Sequence, residues 1–360
     1  MSFPFSIINY QFSIFHFPFS MSSFPHILLQ WYAANGRSLP WRQTKDPYSI
    51  WLSEVILQQT RIEQGRPYWE RFMSRWPTVN DLAAATEDEV LREWQGLGYY
   101  SRARNLHAAA RQIVQLGAFP DTFEGIKTLK GVGDYTAAAI ASMAFDIPAA
   151  VVDGNVYRVL SRYFDIDTPI NTTEGKQVFS VLATSLLPVN EAAAFNQAIM
   201  DFGAIQCTPS SPKCLLCPLM DSCAALRNGT VERRPVKLKT LKIKERHLTY
   251  LYIRCNGNIA IHRRGAGDIW HGLWEPVLLY DDQGEGIDKA FAEQLLQESR
   301  LIRKGVKHVL THRVIIADFY LLETERKPVL PEDYRWVKEE TFDDFAKPRL
   351  IELLLKTLNS

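Results

Sequence analysis

Two acidic residues of this sequence stand where a carboxylate could do chemistry. Glu54 lies within an apolar stretch of helical spacing. An acid buried without a partner tends to take up a proton, and a protonated acid is what general acid catalysis requires. The alternative is a helix-surface glutamate paired with Arg61, which the spacing alone slightly favours. Asp153 ends an apolar run that follows a glycine turn, so its carboxylate could act on a sugar of a nucleic-acid backbone held at that turn.

The glycine turn is Gly131-Val132-Gly133, between helical patterns over residues 126–130 and 135–145. Two glycines around one valine allow a tight turn with little side-chain bulk. The free N–H groups at the start of the following helix, together with its dipole, form an anion site suited to a backbone phosphate. From these residues alone, an ordinary helix pair with a capping aspartate remains the alternative.

Four cysteines lie close together with the spacing C-x6-C-x2-C-x5-C; they are Cys207, Cys214, Cys217 and Cys223. Four thiolates in one short segment can bind a metal. Zinc sites usually contain two tightly spaced pairs, whereas this segment has one. Disulfides are the other alternative, which the lack of a secretory signal disfavours.

The composition places limits on the whole chain. The chain has 360 residues, which predicts two or three domains. Its formal net charge is only +1, so any nucleic-acid binding must come from local basic patches. No run approaches the length of a membrane span, so we predict no membrane partner. Residues 1–20 contain no Lys, Arg, Asp or Glu and lack the pattern of a secretory signal. We expect residues 1–21 to be a disordered extension, or translation to start at Met21. The alternative is a genuine apolar N-terminal arm.

The candidate residues fall in a region of helical periodicity. Residues 25–225 show no convincing strand, which predicts an all-α region. Helices are expected over residues 25–35, 50–61 and 195–204. Three more are expected to begin after a capping box at Thr86, at residue 155, and after a cap at residues 171–174.

A second domain is expected in the last third of the chain. Strands are predicted over residues 248–255, 258–262 and 314–322, and helices over 287–301 and 342–358, which makes an α+β domain. Residues 231–246 join the two regions as a basic linker, which could lie along a phosphate backbone or be a solvated connector. Its basic residues are Arg233, Arg234, Lys237, Lys239, Lys242, Lys244 and Arg246.

Several motifs together resemble the MutY-type adenine DNA glycosylases of the endonuclease III superfamily. They are Leu39-Pro40-Trp41-Arg42, Trp51-Leu52-Ser53-Glu54-Val55, Leu57-Gln58-Gln59-Thr60, the segment from Gly96 to His107, the glycine turn with Asp153, the four-cysteine segment, and Gly272-Leu273-Trp274-Glu275-Pro276. The resemblance covers residue 25 to the C-terminus. It implies a mainly α helix-hairpin-helix region with a [4Fe–4S] loop (residues 22–230) and a Nudix-like α+β domain (residues 247–360).

Enzymes of that family remove adenine mispaired with 8-oxoguanine by hydrolysing its N-glycosidic bond. The resemblance implies that neutral Glu54 protonates the adenine ring. Ionised Asp153 would stabilise positive charge at the anomeric carbon or attack it, as paired carboxylates do in glycoside hydrolysis. Asn155 and Tyr135 would orient Asp153.

The resemblance also implies a set of residues that contact DNA. Gln59 and Tyr99 insert into the duplex around the lesion. At the hairpin that senses 8-oxoguanine the family has Phe-Ser-His, and this chain has Leu310-Thr311-His312, which changes its stacking surface but not its role. The residues that line the adenine pocket are Arg37, Trp41, Arg42, Leu57 and Gln197, and those at the DNA backbone are Gly131, Val132 and Gly133.

Two other functions fit part of the pattern. A bifunctional endonuclease III-type glycosylase/lyase on oxidised pyrimidines needs a lysine where this chain has Tyr135, which cannot form a Schiff base. A non-catalytic iron–sulfur DNA-binding module would leave both acids dispensable. Pyrophosphate hydrolysis is not expected, because residues 294–300 lack the Glu-rich helix of Nudix hydrolases. We expect a monomer in the cytoplasm, associated with the nucleoid when bound to DNA.

Overall fold

The computed structural model describes residues 23–239, 243–284 and 286–358. The predicted extension at residues 1–21 therefore lies outside the described residues. From Ser23 to Arg227 the described chain contains helices and no strand, so the all-α prediction is confirmed there. The helices are α1 (Ser23–Asn35), α2 (Pro47–Leu57), α3 (Ile62–Arg75), α4 (Val79–Ala84), α5 (Glu87–Trp94), α6 (Ser101–Leu116), α7 (Phe123–Lys127), α8 (Asp134–Phe145), α9 (Gly154–Tyr163), α10 (Thr173–Leu186), α11 (Ala192–Ile205) and α12 (Ala224–Arg227).

Local capping residues explain where several helices begin. Thr86 and Glu89 form the predicted reciprocal capping box at α5. Asp153 caps α9 and Thr172 caps α10, each by accepting backbone N–H groups of the first turn. The observed α2 ends at Leu57, four residues before the predicted end.

The chain divides into two compact units, each built from two separate segments. The first unit comprises the described residues up to Lys45 together with Asp134–Leu238. In it α11 packs against α1, α8 and α9, and α12 packs against α9. The second unit comprises Asp46–Gly133 and the described residues from Lys239 onward. The domain boundaries expected from the sequence stay predictions.

A six-stranded sheet forms the C-terminal half of the second unit. Its strands are β1 (Lys244–Cys255), β2 (Asn258–Arg263), β3 (Trp274–Asp281), β4 (Arg300–Val309), β5 (Arg313–Thr324) and β6 (Tyr334–Lys338), and its helices are α13 (Lys289–Gln297) and α14 (Arg349–Leu358). The order across the sheet is β4-β5-β1-β3-β2-β6. Strands β1 and β5 pair in parallel and the other pairs are antiparallel, which confirms the α+β fold.

Alternate residues of β1 enter two cores on opposite faces of this sheet. Tyr250 and Tyr252 belong to a core that includes Leu354 of α14. Leu251 and Ile253 belong to a second core that includes Leu295 of α13. Strand side chains alternate between faces, so one helix covers each face.

Two helix predictions in this region are wrong in detail. The helix expected over residues 287–301 ends at Gln297, and Arg300 begins β4. The helix expected over 342–358 is a short 3-10 helix, Glu339–Asp344, followed by α14 from Arg349, because Pro348 disfavours a continuous helix. Strands β4 and β6 were not predicted. Neither shows a regular alternation of apolar and polar residues.

The predicted linker is wrong at its C-terminal end, because Lys244 and Arg246 belong to β1. The Arg246 side chain is 1% exposed and pairs with Asp268 and Asp281, so it is not available to a phosphate backbone. Arg234 is also paired, with Asp165 at 2.9 Å. Lys242 lies outside the described residues.

No single helix among the described residues is both long and apolar enough to cross a membrane. Only Thr173–Leu186 and Val189–Ile205 taken together meet the length and hydropathy criteria, and a 95° bend separates them.

Candidate functional site

Asp153 is held by three hydrogen bonds at the start of α9. One carboxylate oxygen accepts the backbone N–H groups of Asn155 and Val156, both at 2.8 Å, and the other accepts the Asn155 side-chain amide at 2.8 Å. Burial raises the pKa of Asp153, and these hydrogen bonds partly offset the increase. The carboxylate is therefore fixed in place, and it titrates above the ordinary range of an aspartate.

A buried arginine in turn orients Asn155. Arg158 donates to the Asn155 side-chain oxygen at 2.8 Å and to the Gly203 carbonyl at 2.6 Å. Because that oxygen accepts from Arg158, the amide nitrogen of Asn155 faces Asp153. A Cβ at Gly203 would lie 2.6 Å from the Asn155 Cβ, so close helix packing also requires this glycine. Arg158 was not predicted, although its spacing of three residues places it on the same helical face as Asn155.

The glycine turn precedes α8 in the predicted way. Gly131 has φ +78°, and a Cβ there would lie 2.7 Å from the Asn105 side chain, so both conformation and space require glycine. No atom lies within 4 Å of the Cβ position at Gly133, whereas Val132 is buried. Tyr135 follows in the first turn of α8, and its hydroxyl lies 3.5 Å from the Met200 sulfur. Its predicted role in orienting Asp153 stays a prediction.

Two of the residues predicted to line the adenine pocket share one buried carboxylate. Asp201 is fully buried in α11 and accepts from the guanidinium groups of both Arg37 and Arg42. Burial raises the pKa of Asp201, but hydrogen bonds from Arg42 and Arg37 outweigh that effect and lower it. Trp41, between the two arginines in sequence, is 5% exposed.

The first unit also fixes the orientation of Gln197. The Tyr32 hydroxyl donates to the Gln197 side-chain oxygen at 2.6 Å, which leaves the amide nitrogen of Gln197 as the group able to donate to a ligand. Arg42 lies over the Tyr32 ring, 5.9 Å from its centroid. Tyr32 and Asp201 were not predicted. The sequence signal that could have indicated Asp201 is an acidic residue on an apolar helix, four residues after Gln197.

Glu54 lies in the second unit, on a helix buried around its whole circumference. Every residue of α2 from Tyr48 to Ile56 is buried, and Glu54 is 8% exposed. The alternative of a surface glutamate is therefore wrong. The helix begins at Pro47 because Asp46 accepts its first free N–H groups. Leu57, the last residue of α2, is half-buried.

Gln59 and Tyr99 both adopt a left-handed backbone, with φ +54° and +46°. Such conformations are uncommon outside glycine and tend to occur at functional sites. Gln59 is exposed, and Tyr99 is 44% exposed. Both side chains are thus accessible on sharply turned loops, as an insertion role would require.

One unpredicted residue, Arg102, connects these two loops. Its guanidinium donates to the carbonyl oxygens of Val55, Ile56 and Gln58 at the end of α2, and lies near those of Leu97 and Gly98. It also lies 5.8 Å from the centroid of the Tyr99 ring. Burial lowers the pKa of Arg102 to about 10, so it stays charged at neutral pH.

The predicted 8-oxoguanine hairpin meets the Tyr99 loop. The hydroxyls of Tyr99 and Thr311 share a hydrogen bond although 212 residues separate them in sequence. Thr311 and His312 are exposed between β4 and β5, and Leu310 packs on the sheet core. The second unit thus brings together Tyr99 and Thr311, which the resemblance assigned to the same lesion.

The four predicted cysteines line one cavity, together with Arg162 and Lys213. Arg162 lies 3.4 Å from the Cys207 sulfur, and burial raises the pKa of Cys217 to about 12. Across the described residues, no three of His, Cys, Asp or Glu are grouped to hold a metal ion. A single zinc ion would need sulfurs within about 4 Å of one another, whereas an iron–sulfur cluster binds each thiolate to a different iron. The residues therefore fit a cluster better than one ion.

Replacing Cys217 with serine is expected to reduce the bound iron and the visible absorption of the purified protein, because one of the four thiolate ligands is lost. Iron analysis and the absorption spectrum measure this. Cys255→Ala is the control, since Cys255 lies in β1 outside the loop. Equal iron in both variants and the wild type would exclude Cys217 as a ligand.

Family profiles match three parts of the chain. Residues 52–181 match the HhH-GPD superfamily of base excision DNA repair proteins, residues 207–223 match the iron–sulfur binding domain of endonuclease III, and residues 249–357 match the NUDIX domain. The fold and the site therefore define a helix-hairpin-helix base-excision DNA glycosylase with an iron–sulfur loop and a Nudix-type domain.

Individual relatives narrow this class. The adenine DNA glycosylase of Buchnera aphidicola subsp. Schizaphis graminum is 36% identical over 251 residues, which cover 69% of this chain and 72% of that relative. The adenine DNA glycosylase of Schizosaccharomyces pombe is 28% identical, covering 91% and 87%. A thermostable thymine-DNA glycosylase structure superimposes with a TM-score of 0.54 at 31% identity, covering 58% of this chain and 97% of that chain. The chain belongs to the adenine DNA glycosylase family.

Membership confirms the enzyme class and the cofactor. The protein is a monofunctional DNA N-glycosylase of base-excision repair that binds duplex DNA, and its loop binds a [4Fe–4S] cluster. The roles of the individual site residues remain predictions.

Proposed function

We propose that the protein removes adenine from adenine–8-oxoguanine mispairs, and also from adenine–guanine mispairs. The observation that carries this proposal is the hydrogen bond between Tyr99 and Thr311. One is the residue proposed to insert beside the lesion, and the other lies on the hairpin proposed to sense the oxidised base. Their contact supports a common binding surface for 8-oxoguanine, with His312 as an adjacent donor or acceptor.

The chemistry is assigned to Glu54 and Asp153. The target adenine must leave the base stack to be reached, at a cost of a few kcal/mol. Glu54, in neutral form, protonates the adenine ring and makes it a better leaving group. Asp153, ionised and oriented by Asn155, stabilises the positive charge that develops on the sugar or attacks its anomeric carbon. Tyr135 supports this route over lyase chemistry, because a phenol cannot form a Schiff base.

The residues proposed to line the adenine pocket are Arg37, Trp41, Arg42, Leu57 and Gln197. The amide nitrogen of Gln197, left available by Tyr32, suits a ring-nitrogen acceptor of adenine. Gly131, Val132 and Gly133 are proposed to hold a phosphate through backbone N–H groups. The [4Fe–4S] cluster is proposed to shape its loop rather than to take part in hydrolysis.

Single-turnover base release tests the proposal. We expect adenine release from duplexes with adenine opposite 8-oxoguanine or guanine, and strand cleavage only after alkali. The control duplexes carry an adenine–thymine pair or an oxidised pyrimidine. Release from the oxidised-pyrimidine duplex with direct strand cleavage would favour the lyase alternative. Binding without any base release would favour the non-catalytic module.

We also propose that the protein acts as a monomer in the cytoplasm, at the nucleoid when bound to DNA.

A further inference from the structure

One edge of the C-terminal sheet is strongly basic. Strand β4 pairs with β5 on one side only, so it is an edge strand. From Arg300 to Arg313 the chain contains no Asp or Glu. Four cations on β4 have exposed side chains and are called the basic edge here; they are Arg300, Arg303, Lys304 and Lys307.

The basic edge has no ion-pair partner in the part of the chain that the structure describes. No ion pair there involves Arg300, Arg303, Lys304 or Lys307. Asp318 on the neighbouring strand accepts the Gly305 backbone N–H at 2.7 Å. The opposite edge of the sheet differs, because Lys338 on β6 lies 3.6 Å from Glu340.

The basic edge leads directly into the hairpin that carries Thr311. A strand rises about 3.3 Å per residue, so Lys307 lies about 13 Å from Thr311 along the chain and Arg303 about 26 Å. One irregularity in the β4–β5 register, between Arg303 and Val306, falls within this stretch. One DNA strand carries a phosphate about every 3.4 Å along the helix axis. These cations are thus spaced to meet phosphates roughly four to eight base pairs from a base held at the hairpin.

We propose that the basic edge binds the phosphate backbone of the substrate duplex, several base pairs away from the lesion. It adds affinity that depends on salt and not on sequence, and it leaves the chemical step untouched. This inference rests on the proposed position of the lesion at the Thr311 hairpin. Edge-strand cations can also serve only to prevent pairing between sheet edges of two molecules, and the test separates that outcome.

The test is a triple variant, R303Q/K304Q/K307Q, compared with R326Q/K327Q/K338Q. Each replaces one arginine and two lysines with glutamine. In the second set Lys338 lies on β6 at the opposite edge, Lys327 lies over the ring of Trp336 on β6, and Arg326 lies in the segment that joins β5 to β6. Dissociation constants are measured across a salt series, on a duplex with adenine opposite 8-oxoguanine and on the same duplex undamaged. Each lost phosphate contact lowers the slope of log affinity against log salt by about 0.9. We therefore expect the slope to fall by about 2.7 for the first variant and not for the second.

Single-turnover adenine release at saturating enzyme is expected to be equal in both variants and the wild type. An unchanged salt slope in the first variant, or an equal fall of the slope in both variants, would overturn the proposal that the basic edge binds phosphates. Aggregation of the first variant at low salt with an unchanged slope would assign these cations to protection of the edge. If the wild type released no adenine, the proposed function would fail, and the slope on undamaged DNA would still decide whether the basic edge binds phosphates.

Discussion

Glu54→Gln is expected to lower single-turnover adenine release by about 10²–10⁴-fold, the usual contribution of a general acid. The amide cannot supply a proton to the base. Asp153→Asn is expected to lower the rate by roughly 10²–10³-fold, because the charge that stabilises the developing cation is lost. Asparagine is also a good N-cap, so α9 should still begin at Gly154. Rates at saturating enzyme and dissociation constants for the lesion duplex measure both effects.

The matched control for these variants is Asp167→Asn, which removes the charge of an exposed acid outside the proposed site. We expect DNA affinity to stay near the wild-type value in both active-site variants. Burial raises the pKa of Asp153, and the reaction needs the ionised carboxylate. As the pH is lowered, the wild-type rate should therefore begin to fall at a pH above the ordinary pKa of an aspartate. Full activity of both Glu54→Gln and Asp153→Asn would refute the assigned chemistry.

Asp201→Asn is expected to destabilise the protein by about 3–5 kcal/mol, the usual effect of removing one partner of a buried charge pair. Arg37 and Arg42 would lose the carboxylate that both contact. Displacement of pocket groups by about 1 Å can slow a reaction about 10²-fold, so adenine release should also slow. Urea denaturation followed by circular dichroism measures stability, and single-turnover release measures the pocket.

Asp146→Asn is the control, because Asp146 and Lys45 form an ion pair in the same unit with side chains 66% and 67% exposed. Exposed pairs contribute little, so this variant should resemble the wild type. The pKa of Asp201 lies below its ordinary value, so its stabilising contribution is present at neutral pH and is lost as the pH falls through that lowered pKa. The difference between Asp201→Asn and the wild type should therefore narrow in strong acid. A constant difference at all pH values would contradict a role based on charge.

Short-range patterns in the chain were enough to predict several features of the site. The cap at Thr86 and the glycine turn each depend on residues within a few positions, and both occur in the structure. The spacing of Cys207, Cys214, Cys217 and Cys223 predicted a metal loop for the same reason. Most of the assignment to an adenine glycosylase came from resemblance, because periodicity alone does not distinguish a DNA glycosylase from another helical DNA-binding protein.

Contacts between distant segments could not be predicted in this way. Arg37 and Asp201 are 164 residues apart, and no local pattern indicates that one carboxylate holds two arginines. The same holds for Arg102, because its partners are backbone carbonyl groups, which residue type does not indicate. The basic residues around Arg246 predicted a linker that either lies along a phosphate backbone or is solvated, whereas Asp268 and Asp281 neutralise Arg246 in the folded sheet.

The sequence by itself therefore determined the candidate acids, the four-cysteine segment and several helix caps, since these depend on residue type and near spacing, and its resemblance to a known family indicated the class of the enzyme. The tertiary structure decided which side chains orient those groups and which cations form no ion pair among the described residues. Tyr99 meets Thr311, Asp201 meets Arg42, and β4 lies at a sheet edge. Each of these follows from chain segments that only folding brings together, and each determines which groups are available to DNA.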